Sequence, residues 1–225
     1  MRPERKPEGG NLKPEAVDRE QPAAGLRARL ARPPWTFLAV SLIALIIQLN
    51  PAWRDGLIYD RAALQRGEWW RIWTGHLVHF GWPHFIADAG LFFILGWLLE
   101  RPHPWFSRVA LVVLPAFISA VIFRLDPTMA RYGGLSAVNL GLLLFLAAQG
   151  WQRNWTDWFW PAVLAIYVGE VIFEIIQGGR GGGMIRFDDA SIHVATSAHL
   201  ASAVYALLGW GASRLKARPD ASAPA

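Results

Sequence analysis

The sequence predicts an all-α, polytopic membrane protein whose chain crosses a bilayer six times. Three observations lead there. Of 225 residues, 53% are hydrophobic and only 17% are charged, whereas a soluble domain is nearer a quarter charged. The apolar residues fall into long runs bounded by polar or helix-breaking residues. Basic residues cluster at the two ends of the apolar part, where membrane anchors sit, and form no aromatic-interleaved face. The net charge of +5 therefore implies a lipid bilayer as partner and no nucleic acid. The chain has no Cys, which excludes disulfides, thiol catalysis and cysteine-held metals.

Residues 1–33 mix Pro, Glu, Arg, Lys and Gly without apolar periodicity and read as a disordered cytoplasmic tail. The tail is too long and too acidic before the first apolar run to resemble a signal peptide. Residues 34–213 form the membrane domain, and 214–225 a short cytoplasmic tail. The six apolar runs are Pro34–Leu49, His84–Leu99, Arg108–Phe123, Leu135–Gln149, Trp158–Gln177 and Ile192–Ser213. A membrane-crossing helix needs about 20 residues. The fourth run would rise only about 22 Å at 1.5 Å per residue, against about 30 Å of hydrocarbon. Its start is expected to lie recessed at the floor of a cavity.

Arg27, Arg29 and Arg32 precede the first run, and Arg214, Lys216 and Arg218 follow the last. The positive-inside rule puts both termini in the cytoplasm and requires an even number of spans. Arg54, Arg61, Arg66 and Arg71 in the first outer connection blur the loop-charge signal, so termini and parity carry the topology. On it, Asn50–Pro83 and Gly178–Ser191 face outward from a cell inner membrane. Trp53, Trp69, Trp70, Trp73 and Trp82 suit a segment in the headgroup zone. The fourth and sixth spans begin on this outer side. His199 is expected about two helical turns inside its span.

Ser136 follows Gly133 and Gly134 at the first turn of a helix. Unpaired N–H groups there can stabilise an oxyanion, and the glycines let a substrate backbone come close. A Ser N-cap after a Gly turn fits the same residues. His199 lies in a run of small residues, Ala195 to Ser202, which lets helices approach closely. It reads either as a base for a nearby serine or as a packing histidine. His84 and Asp88, four apart, share a helix face. His76, His79 and His84 could instead hold a metal or haem. No His-Glu-x-x-His run occurs, so neither metal nor cofactor is expected. Glu170 and Glu174, also four apart, read as structural hydrogen-bonding partners, with ion transport as the other explanation.

Together these residues resemble the rhomboid family of intramembrane serine proteases. Trp70-Arg71 resembles the family's outer-loop Trp-Arg signature, and His79 and His84 fall at its histidine positions. Gly134-Leu135-Ser136-Ala137 resembles its G-x-S-G motif, and Ala198-His199 its sixth-span Ala-His. The similarity covers roughly Gly67 to Gly211. Asp88 stands where Asn is usual, Ala137 replaces the second Gly, and Leu140 replaces a Tyr present in some members. The Leu125-Asp126-Pro127 run and Val194–Leu200 look most like the rhombosortase branch, associated with GlyGly-type C-terminal sorting tails.

The resemblance implies a six-helix rhomboid fold and a serine endopeptidase acting on single-span membrane proteins. Ser136 would be nucleophile and His199 general base. His84, Asp88 and the Ser136 N–H would supply the oxyanion hole, with Gly133 and Gly134 lining the substrate's approach. Trp70, Arg71 and His79 would be structural. Buried and protonated, Asp88 could donate to the oxyanion as the usual Asn does. Ionised, it could orient His84. The rival readings are a catalytically inactive relative that binds transmembrane segments and a histidine-rich cofactor-binding membrane protein.

Overall fold

The structure is a computed structural model that describes residues 33–176 and 196–216. It is mostly helical. Helix α1 (Trp35–Leu49) starts after two prolines and stops before Pro51, which disfavours helix in the residue before it. Asn50 Nδ2 donates to the Ile46 carbonyl at 2.6 Å, covering one of the carbonyls the helix end leaves unpaired. At the other end, Thr36 Oγ1 donates to Glu100 Oε1 at 2.5 Å. Phe37, fully buried, lies against Gly96, where no Cβ would fit. This seals α1 to α2 (Trp82–Leu99).

The connection between α1 and α2 is ordered by short elements and by two arginines. Pro51–Leu57 turns by 98° from α1. Strand β1 (Tyr59–Asp60) pairs antiparallel with β2 (Arg131–Tyr132), Tyr59 opposite Tyr132. Asp60 then caps the helical turn Arg61–Gln65, accepting from the Ala63 N–H at 2.9 Å. The Arg61 guanidinium donates to the carbonyls of Ile122, Phe123, Asp126 and Met129 at 2.6–3.2 Å. These include the Phe123 carbonyl, which has no helical partner at the C-terminus of α3 (Pro104–Leu125) because residue 127 is Pro.

Helix α4 (Ser136–Arg153) and α6 (Thr196–Lys216) pack more extensively than any other described pair, and α6 also packs on α3. Helix α5 (Phe159–Ile176) packs on α4. Gly141 lies against Leu114 and Ser202, and Gln149 Nε2 donates to Ser213 Oγ at 2.8 Å. Residues 141 to 149 thus advance alongside 202 to 213, so α4 and α6 run parallel. Phe92, Leu114, Ile118, Leu142 and Phe145 are fully buried among these helices.

By length and composition, two described helices could cross a membrane alone, α2 and α3, and α1 with its bent continuation makes a third. Helices α4 and α6 have the length, 18 and 21 residues, but their apolar content is diluted by Ser, Asn, Gln and Gly. The observed bounds differ from the apolar runs in two places that count. Helix α3 begins at Pro104, a residue suited to a first helical turn. Helix α4 continues to Arg153, so it rises about 27 Å at 1.5 Å per residue. Its length therefore does not by itself require a recessed start. The stretch Gly178–Ser191 and the two tails lie outside the described residues, as do the side chains of Glu170 and Glu174.

Candidate active site

The turn into α4 is built for close packing. Gly134 has φ +113°, a conformation that strains residues with a Cβ. A Cβ there would sit 2.8 Å from His84 Nε2 and 3.0 Å from Asp88 Oδ2. A Cβ on Gly133 would sit 2.8 Å from the Val78 carbonyl oxygen. In this structure the protein's own α1–α2 connection and α2 make the close approach that these glycines permit. Leu135 is the N-cap: its carbonyl accepts the first helical bond, from the Asn139 N–H at 2.8 Å. Ser136 is therefore the first helical residue rather than the cap. The N–H groups of Ser136, Ala137 and Val138 precede that first bond and have no acceptor within the helix. Ser136 is half-buried, and Ala137 and Val138 are buried.

Beneath this turn lies a cluster of three buried groups. Asp88 Oδ2 is 3.0 Å from His84 Nε2 and 3.4 Å from His79 Nε2. Both are ion-pair contacts, the N–H directions being poorly aimed at the oxygen. The opposite nitrogens fix the tautomers. His84 Nδ1 accepts the Phe80 N–H at 3.3 Å, so the proton of a neutral His84 is on Nε2, facing Asp88. His79 Nδ1 is 3.2 Å from the Leu77 carbonyl, which can only accept, so Nδ1 carries a proton. His79 Nε2 and Asp88 Oδ2 then face each other. Asn139 Nδ2 donates to the Asp88 carbonyl at 2.9 Å, tying α4 to α2 at this level.

His76 is engaged elsewhere. Its Nε2 is 3.0 Å from the Pro115 carbonyl and 3.1 Å from Ser119 Oγ. The three histidines therefore do not converge on one point. His76 lies in the α1–α2 connection, and burial pushes its pKa down to about 4.

His199 is the fourth residue of α6 and is buried, nearer the described start of its helix than two turns. Tyr167 from α5 donates to its backbone carbonyl at 2.7 Å. Two residues earlier, Ser197 Oγ donates to Asp126 Oδ2 at 3.0 Å. Because α4 and α6 run parallel and meet at Gly141 and Ser202, Ser136 and His199 sit before that meeting point on both helices. They share one end of the pair.

Arg71 is buried. It donates to Glu68 Oε2 at 2.6 and 2.8 Å and to the carbonyls of Asp55 and Ile58, each at 2.8 Å. The Arg71 hydrogen bond holds the Glu68 carboxyl below its ordinary range. Trp70 stays half exposed, its Nε1 donating to Gly56 at 3.2 Å. Sequence reasoning assigned no role to Asn139 or Tyr167, and it offered Arg61 only as a loop charge and Asp126 only as part of a family-like run. Asn139 carried a signal, being an amide within an apolar helix, where a polar side chain must find a partner.

A helical membrane protein with a serine at a helix start, a histidine on the packed neighbouring helix and a buried His-His-Asp cluster defines a narrow class. A family model for the Rhomboid domain matches residues 66–215, and the chain belongs to that family. Members are generally intramembrane serine proteases acting on membrane-embedded substrates. No curated protein matches the sequence.

Proposed function

We propose that the chain is an intramembrane serine endopeptidase in which Ser136 attacks the scissile carbonyl and His199 accepts its proton. What supports this most is the start of α4, where Ser136 heads a helix with unpaired N–H groups at the end shared with His199. The hydroxyl oxygen bonds to the carbonyl carbon while its proton passes to the imidazole, which then protonates the leaving amine. Water repeats the sequence in reverse to release the acyl group. The developing oxyanion is met by the Ser136 N–H and, from α2, by His84 Nε2–H once it turns from Asp88. In this reading Asp88 orients His84, and His79 holds Asp88. All six helices span the inner membrane with both termini cytoplasmic. Substrates are single-span membrane proteins, and the rhombosortase resemblance points to GlyGly-type C-terminal sorting tails.

A fluorophosphonate probe tests the mechanism directly. Covalent labelling of the wild type that disappears in Ser136→Ala is expected, and equal labelling of both sinks it. One observation favours a second reading, an inactive relative that binds transmembrane segments. Both nitrogens of His84 already have partners, Phe80 and Asp88. Specific capture of a single-span protein with no labelling in any condition would favour that reading.

A further inference from the structure

At the end of α4 and α6 opposite Ser136 lies a cavity of about 800 Å³, walled by α4, α5, α6 and the turn between α4 and α5. That is within the range of pockets that hold small ligands, about 300–1,000 Å³. The cavity is long in one direction. It runs from Leu144 to Gln152 on α4 and from Ala206 to Arg214 on α6. Each stretch covers about 12 Å along its helix at 1.5 Å per residue.

Its polarity is graded along that direction. Leu144, Leu164 and the buried Ala206 line the apolar end, whereas Gln152, Thr156 and Arg214 lie towards the ends of α4 and α6. The polar end is held in shape: Trp210 Nε1 donates to Gln152 Oε1 at 3.0 Å, and the Arg214 guanidinium lies 5.2 Å from the Trp210 ring centre. Arg153 ends α4 at the same level. No Asp or Glu is among the lining residues. The nearest acid in sequence, Asp157, accepts the Phe159 N–H at 3.0 Å. Trp151, Trp155 and Trp158 at this end suit the headgroup zone. Arg214, Lys216 and Arg218 mark the end as cytoplasmic by the positive-inside rule.

We propose that this cavity binds one anionic phospholipid, an acyl chain lying between α4, α5 and α6 and the phosphate on Arg214. An elongated slot that is apolar inside and cationic at its headgroup end matches that molecule. Basic pockets between membrane helices on the cytoplasmic side take anionic headgroups in this way. A peptide would leave backbone polar groups unmet in the apolar part. The site is independent of the protease reading, since it uses neither Ser136 nor His199.

The test uses full-length protein in nanodiscs of equal phosphatidylglycerol and phosphatidylcholine, released for native mass spectrometry. The wild type should retain one phosphatidylglycerol in preference to phosphatidylcholine. Arg214→Gln should weaken that preference about five-fold, the share of one basic residue near a charged headgroup. Ala148→Phe, which fills the slot and leaves Arg214 in place, should abolish retention of either lipid. Soluble glycerol 3-phosphate should not displace the lipid. Equal retention of both lipids by the wild type and Arg214→Gln would mean annular lipid only and overturn the proposal. Displacement by glycerol 3-phosphate would overturn the chain slot. Melting midpoints matching the wild type show that both variants are folded, and Arg214→Gln, at an exposed residue, carries the test if Ala148→Phe does not fold.

Discussion

Helices α2 and α3 look like membrane spans and α4 and α6 do not, yet α4 and α6 carry Ser136 and His199. The difference follows from what each pair touches. Helix α2 presents Ile86, Leu91, Ile94 and Leu98 outward, and α3 presents Val112 and Val113. Facing lipid, such positions must be apolar, since hydrocarbon offers no hydrogen-bond partner. Helix α4 instead buries Ala137, Asn139, Gly141 and Leu142, and α6, although it presents Leu200, Val204, Leu207 and Leu208 outward, buries Ala198, His199, Ala201 and Ser202. Small residues let those helices approach closely, and neighbouring helices supply partners for the polar ones. The helices that carry Ser136 and His199 are therefore less apolar along their length than α2 and α3.

The largest expected effect breaks that contrast at its chemical end. Ser136→Ala and His199→Ala should each abolish cleavage and fluorophosphonate labelling while leaving the helical content and melting midpoint unchanged. Residues that act as one unit are not additive, so the double variant should be no slower than either single one. Residual activity in Ser136→Ala equal to the wild type would return α4 to a purely structural role.

Next comes the link from α4 back to α2. Asp88→Ala removes the group facing His84 Nε2 and should cost about 10²–10³ in rate, the scale of losing an oxyanion donor. Asp88→Asn keeps an oxygen for that proton and should lose less than about tenfold on the same scale. If Asn is as damaging as Ala, the carboxylate charge is required to orient His84. Full activity in Asp88→Ala removes the residue from the site.

A third expectation concerns stability against pH in the α1–α2 connection. The pKa of His76 is pushed from 6.5 to about 4 by burial. At pH above 6.5 folded and unfolded chains both hold it neutral, and it makes no difference. As pH falls below 6.5 the unfolded chain takes up a proton and the folded chain does not, so stability declines until about pH 4. The window is worth roughly 3 kcal/mol at 1.36 kcal/mol per pKa unit. Melting midpoints of the wild type in detergent should drop across it, and those of His76→Gln should drop less. Parallel curves would assign the acid sensitivity to other groups.

How much of this was readable in the sequence depends on range. The helices follow from local composition, and three of the apolar runs have both ends within two residues of the observed ones. The pairing of His84 with Asp88 follows from helical spacing of four. The Arg61 contacts with carbonyls more than sixty residues away, the Arg71 contacts with Asp55 and Ile58, and the Ser197 bond to Asp126 leave no periodic trace. They arise only when separate elements meet. Arg61 and Arg71 are instructive, because their charges obscured the loop asymmetry used for topology. The Arg61 guanidinium is taken up by backbone carbonyls and that of Arg71 by Glu68 and two carbonyls, so both serve the fold of the connection between α1 and α2.

The smallest effect isolates the contrast between the helix pairs with one substitution made twice. Gly90 on α2 is exposed, with nothing within 4 Å of where a Cβ would go. Gly141 on α4 is buried, and a Cβ would sit 2.9 Å from Leu114 Cδ2 and 3.4 Å from Ser202 Cβ. Replacing helical Gly by Ala gains up to about 1 kcal/mol by reducing backbone freedom in the unfolded chain. At Gly90 that gain meets no opposing term, so Gly90→Ala should raise the unfolding midpoint slightly. At Gly141 the added methyl enters a closed packing, where such insertions cost about 1–3 kcal/mol. Leu114 is itself fully buried and has little room to yield. Gly141→Ala should therefore lower the midpoint, and the two variants should differ by about 1–3 kcal/mol in mixed-micelle unfolding, the packing cost, since the helix gain is common to both. Activity sharpens the result. Spreading α4 from α6 should slow fluorophosphonate labelling of Ser136 in Gly141→Ala, while Gly90→Ala labels at the wild-type rate. Equal midpoints and equal labelling would show that the α4–α6 contact is looser than its geometry implies, and the contrast between the two pairs would then be one of composition alone.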